Sequence, residues 1–210
     1  MLRSSAILII LLALLTICSC ANPATDKSKA VTSDAAPIVA SSPGARSDRY
    51  LIKPDSSQIL FHASKVTGSH EGSFERFAGT IDYAGEIEKS SVTITIETDS
   101  IKADDDGLTK HLKTPDFFDV AKFPQATFKS TGIKAGGDKG ASHTVTGNLE
   151  MHGVTKSVTF PATIVAGADA VTVDSTFSIN RKDFGINYAG AANNLIRDEV
   201  VLTLKVRGVK

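Results

Sequence analysis

From residue 49 onward, apolar and polar side chains alternate with a period of two. In Ser91-Val-Thr-Ile-Thr-Ile-Glu97, Val92, Ile94 and Ile96 share one face while Thr93, Thr95 and Glu97 share the other, as in a strand buried on one side. The same period runs through 158–164, 170–179 and 200–206. It predicts strands near 49–54, 57–66, 73–83, 90–98, 125–134, 143–151, 153–165, 170–180 and 197–208, separated by Gly, Asp, Asn and Lys. One wet face and one buried face is the mark of antiparallel sheet. Long strands joined by short turns favour an up-and-down barrel over a sandwich, because closure removes exposed edges. The expected fold is all-β, a single antiparallel eight-stranded barrel. Pro161 falls inside a strand and so marks an edge, a bulge or a bend. The alternation breaks only at 108–123, where Leu108 and Leu112 are four apart and Pro115 and Pro124 punctuate the chain. One or two short helices are expected there. An eight-stranded interior can be filled by side chains or hold one small ligand, and the pattern fits both.

The first fifty residues carry different chemistry. Arg3 is followed by an apolar run, 6–17, shorter than the roughly 20 residues of a membrane-spanning helix, which reads as a signal peptide. Ile17-Cys18-Ser19-Cys20 resembles a bacterial lipobox and makes Cys20 the expected lipidation site. Cleavage would leave Cys20 as the only cysteine, so no internal disulfide can form. Residues 21–47 are rich in Ala, Ser, Pro and Thr and lack aromatics, a composition too poor in apolar surface to fold. They read as a tether with a span on the order of 30 Å. The expected organisation is a leader at 1–19, a lipidated flexible tether at 20–48 and a barrel at 49–210. Export to the bacterial cell envelope follows, with the barrel facing the periplasm. Ala21, in place of an aspartate, favours the outer membrane.

Charge and spacing exclude several chemistries. Lys plus Arg and Asp plus Glu both number 23, and no long basic run offers a nucleic-acid footprint. The five histidines, His62, His70, His111, His143 and His152, show no metal-ligand spacing. Asp104-Asp-Asp-Gly107 lacks the register of a calcium loop. No nucleophile elbow is present. No cofactor, metal or catalytic residue is expected.

Five stretches carry a family resemblance: Gly72-Ser-Phe-Glu-Arg-Phe-Ala-Gly79, 110–119, Phe123-Pro-Gln-Ala-Thr-Phe-Lys-Ser130, Gly147-Asn-Leu-Glu-Met-His-Gly-Val-Thr-Lys156 and Asn180-Arg-Lys-Asp-Phe-Gly185. In this order they resemble the YceI-like proteins over about 50–210. The resemblance implies a lipocalin-like barrel whose lumen takes a polyisoprenoid or another long-chain amphiphile. The chain differs from many members at Thr109-Lys110 and at the end of Ile59–Lys65.

Strand parity nominates Phe61, Val92, Ile94, Phe128, Leu149, Phe160, Phe177 and Leu202 as lumen residues contacting an apolar tail. At the mouth, Phe117 and Phe118 would cover the tail while His111 and Asp116 meet a polar head group. The competing reading makes Asp116 a helix cap and the phenylalanines core. Arg181 and Asp183, two apart on an extended strand, point to the same side and could make a buried pair, and the guanidinium suits a carboxylate or phosphate head. An internal brace between Arg181 and a carboxylate is the preferred reading. The expected function is a lipid-anchored binding protein that sequesters or carries such an amphiphile. The alternatives are an enzyme using His111, Asp116, Arg181 and Asp183 on a lipid-like substrate, or a ligand-free barrel acting as a stress-related interaction module.

Overall fold

A computed structural model describes residues 22–37 and 47–210. The leader at 1–19 and Cys20 lie outside the described residues. Two short strands come first, β1 (Ser28–Lys29) and β2 (Val31–Asp34). They are followed by β3 (Asp48–Ile52), β4 (Gln58–Lys65), β5 (Gly68–Phe74), β6 (Phe77–Tyr83), β7 (Ser91–Glu97) and β8 (Ile101–Ala103). After the helix α1 (Asp106–Leu112) come β9 (Gln125–Ala135), β10 (His143–Met151), β11 (Val154–Ala166) and β12 (Ala170–Asn180). The small hairpin β13 (Gly190–Ala191) and β14 (Asn194–Leu195) precedes β15 (Glu199–Val209).

β3, β6, β7, β9, β10, β11, β12 and β15 form, in that order, a closed antiparallel ring of eight strands. Consecutive strands are neighbours except for one excursion. β4 pairs with Val201–Lys205 in the middle of β15 while β3 pairs with its last two residues, and β5 and β8 extend β4 outward. The run expected as one strand at 73–83 is therefore two. Its backbone breaks at Glu75-Arg76, where Glu75 N–H donates to Ser100 O and Arg76 O accepts from Glu97 N–H. β8 has too few residues to show a period and was not legible in the alternation.

Between 108 and 123 there is one helix. Asp105 caps it, accepting a hydrogen bond from Leu108 N–H at 2.6 Å. It ends at Leu112 with Lys113 as its C-cap, before Pro115, and the chain continues to Phe123 as turns, with Phe117 N–H on Thr114 O and Phe123 N–H on Asp119 O. The β10–β11 hairpin turns on His152 and Gly153 between paired Met151 and Val154, with φ of 53° and 74°. Two positive φ values match the right-handed twist of the flanking strands.

The segment expected to be a free tether is, over 22–37, laid against the barrel. β1 runs parallel to β12, with Ser28 opposite Phe177, and β2 runs antiparallel to β11, with Val31 opposite Thr159 and Asp34 opposite Lys156. Composition gave no sign of this, because the docking uses backbone hydrogen bonds and only Ala24 and Ala30 become buried apolar residues. Among the described residues, no helix is long and apolar enough to cross a membrane.

Candidate functional site: an apolar lumen

Inward positions of the ring share one parity, and together they surround a cavity of about 210 Å³. All eight nominated lumen residues line it: Phe61, Val92, Ile94, Phe128, Leu149, Phe160, Phe177 and Leu202. The accessible wall is apolar. Phe128 packs on Phe160 with centroids 5.7 Å apart, and Phe160 stacks on Phe177 at 4.2 Å and 10°. Val92, Phe128, Leu149 and Leu202 point inward yet are only partly buried. That combination is what side chains facing a void show. The cavity exceeds the roughly 150 Å³ at which an engineered apolar cavity stays dry and binds benzene. With β11 at 13 residues, the wall is about 40 Å long at some 3.3 Å per residue.

Two glycines make room for this aromatic lining. A Cβ on Gly147 would lie 2.3 Å from the Phe128 ring, and one on Gly72 would lie 2.4 Å from the Phe61 ring and 2.2 Å from Lys102 O. The rings lie over bare backbone across the sheet.

At one end, α1 and the turns after it pack against the segment 186–196. His111 Nε2 is 2.8 Å from Asp116 Oδ2. The His111 ring meets Phe117 at 5.0 Å and Tyr188 at 5.1 Å, and Phe117 meets Tyr188 at 5.3 Å. Phe117 and Phe118 line the lumen, whereas His111 and Asp116 lie outside its wall and are partly solvent-exposed. Asp116 does not cap α1; that place belongs to Asp105. Tyr188 completes the cluster. Sequence reading passed over it because it is a lone aromatic in a segment without a period.

Arg181 and Asp183 do not pair. Residues 181–184 form a turn of 3-10 helix, not extended strand, so the two side chains diverge. Arg181 is 5% exposed. Its Nε–H donates to Arg197 O at 3.2 Å, Nη1–H to Ile186 O at 2.8 Å and Nη2–H to Asp198 Oδ1 at 3.2 Å. Burial pulls its pKa down and Asp198 opposes that. Arg181 is thus a brace that fixes 186–198 over the end of the barrel, and its carboxylate is Asp198. Among the described residues, no hydrogen bond or ion pair joins the His111–Asp116 pair to Arg181 or Asp183, and no group of three His, Cys, Asp or Glu could hold a metal.

A closed antiparallel barrel with an apolar, partly open interior defines the class of lipocalin-like barrels. Residues 50–207 match the YceI-like domain, and the chain belongs to the YceI-like family. It is 37% identical over 146 residues to a UPF0312 protein of Pseudomonas putida, an alignment covering 66% of this chain and 73% of the relative. Among solved structures, BcnA of Burkholderia cenocepacia superposes with a TM-score of 0.66 at 24% identity, covering 74% of this chain and 98% of that one. A polyisoprenoid binding domain from Saccharophagus degradans superposes with a TM-score of 0.61 at 17% identity, covering 78% and 99%. At these identities the two structures establish the fold.

Proposed function

We propose that the protein holds a long apolar chain, a polyisoprenoid or a comparable acyl amphiphile, in the barrel lumen, and does so at the cell envelope as a lipoprotein acylated on Cys20. The observation that carries the reading is the apolar cavity of about 210 Å³ threaded by Phe128, Phe160 and Phe177. Burial of each CH2 contributes about 0.8 kcal/mol, so a chain of a dozen carbons would bind tightly even after ordering costs. The S. degradans neighbour, a polyisoprenoid binding domain, supports this ligand class. His111, Asp116 and Tyr188 sit where a polar head would leave the lumen. Arg181 lines the lumen, but with its donors taken by backbone carbonyls and Asp198 its guanidinium positions that rim and is not free to bind a head group.

Native mass spectrometry of protein purified from its host, followed by solvent extraction, tests the reading. A non-covalent adduct that extracts as a prenyl or acyl lipid is expected. Protein that is empty and also takes up neither polyprenol nor fatty acid would refute it. Cys20→Ala should move the protein from the membrane fraction to the soluble fraction; retention in the membrane would refute the anchor.

A further inference from the structure

The barrel wall is not continuous between β11 and β12. Their ladder is limited to Thr163–Ala166 against Val171–Asp174. It stops where Pro161 follows next along β11. Proline has no N–H to give the neighbouring strand, and the Pro161 carbonyl instead accepts the Ser175 hydroxyl at 2.5 Å. Beyond this point the two strands separate, and the N-terminal segment fills the opening. Ser28 and Lys29 pair with Phe177 and Ser178 on one side, and Val31–Asp34 pair with Lys156–Thr159 on the other. Ala30 marks the crossover, its N–H donating to Ser178 O at 2.8 Å. One intervening strand holds its neighbours about 9–10 Å apart, twice the inter-strand spacing.

The residues that flank this seam are lumen residues: Val158 and Phe160 on β11, Phe177 and Ile179 on β12. Removing 28–34 would therefore open the cavity to the side along the walls that an apolar chain would touch. The segment is held mainly by polar contacts at the surface. Ser28 Oγ donates to Asp138 Oδ2 at 2.6 Å, Lys29 pairs with Glu199 at 2.9 Å and Lys156 with Asp34 at 2.9 Å. Asn148 closes it with two bonds to the Ala36 backbone, at 2.7 and 3.0 Å. The strap itself, 22–37, precedes the stretch 50–207 of the family match.

We infer that residues 22–37 are a removable strap over a lateral portal between β11 and β12, through which an elongated apolar ligand slides into the lumen. The inference rests on the lumen reading above. It accounts for a long cargo better than end-on threading past α1 and 186–196, because a side opening accepts the chain along its length.

A reversible lock separates the two readings. Ser33 and Ser157 are directly opposed across an antiparallel pair, where Cα atoms lie about 4.5–5.5 Å apart, within disulfide range. The full-length chain carrying Ser33→Cys and Ser157→Cys, with Cys18→Ser and Cys20→Ser to leave a single pair, can be strapped by oxidation and released by reductant. The probe is cis-parinaric acid, whose fluorescence rises in apolar surroundings. Oxidation should slow its uptake and release by roughly tenfold or more, and reductant should restore both, because a held lid sets the rate. Affinity at equilibrium should hold within about twofold, since neither serine lines the lumen. Equal rates in both redox states would overturn the portal and leave the lumen reading standing. Failure to take up the probe in either state would overturn both. Hydrogen exchange gives a ligand-free readout: amides of 28–34 should exchange together and ahead of those in β10 and β15. Protection of the strap equal to that of β10 would also overturn the portal.

Discussion

Gly147 has no side chain where the ring of Phe128 lies, and the nearest ring carbon would be 2.3 Å from an added Cβ. Overpacking of this kind costs about 1–3 kcal/mol. Gly147→Ala should therefore lower the free energy of urea unfolding by an amount in that range, seen as a lower midpoint. Gly132→Ala is its control: Gly132 has nothing within 4 Å of an added Cβ, so the midpoint should stay level or rise slightly. At Arg181 the cost is of another kind. Replacing it with Met leaves the carbonyls of Ile186 and Arg197 without their donors and leaves Asp198 paired with Lys182 alone. A loss of about 3 kcal/mol or more is expected in urea unfolding. Arg181→Lys should recover little of it, since an ammonium cannot reach three acceptors arranged around a planar fork.

At the scale of elements, what could be read from sequence depended on whether side chains or backbone carried the signal. The inward residues were legible because a strand alternates strictly, and Val92, Ile94 and Leu202 reach the lumen by parity alone. The Arg181–Asp183 pairing failed because four residues turn as 3-10 helix where extended chain was expected, and Asp198 lies across a loop that no local pattern measures. The strap was missed because residues 22–37 bury little apolar surface and are recruited by strand edges that Pro161 leaves open. Such a segment opens locally at low cost, and its docking should depend on acidity. The Ser28 hydroxyl holds the Asp138 carboxyl below its ordinary value of 3.8; slight burial opposes this, while Lys139 N–H and the Lys139 charge add to it. A carboxyl with a lowered pKa in the docked state favours docking fully above its ordinary value. That contribution fades as pH falls through the lowered one. Amide shifts of Ser28 and Ala30 followed from pH 6 to below about 4 should report undocking, and Asp138→Asn should flatten the profile.

For the molecule as a whole, the path of the strap sets how the barrel would stand on a membrane. Ser28 is held by Asp138 in the β9–β10 connection, and Lys139 Nζ donates to Asp26 O. Asn22, the first described residue, is thus only a few residues from this contact. An acyl chain on Cys20 would draw the β9–β10 end toward the bilayer and leave little slack, in place of the long tether that composition suggests. Spin labels on the 136–142 loop should then be broadened by paramagnetic lipid far more than labels on the β10–β11 turn at 152–153. Equal broadening at both ends would contradict this orientation.

Pro161 has one further consequence. By ending the β11–β12 ladder early it creates two bare strand edges, and bare edges recruit whatever extended backbone is nearest. In the intact chain the nearest backbone is its own. A version beginning at residue 47 would offer Lys156–Thr159 and Phe177–Ser178 to another copy, and light scattering after size exclusion should find it in larger species than the full chain forms. The N-terminal segment would on this account also be an intramolecular chaperone, occupying in cis the sites at which neighbouring copies would otherwise polymerise.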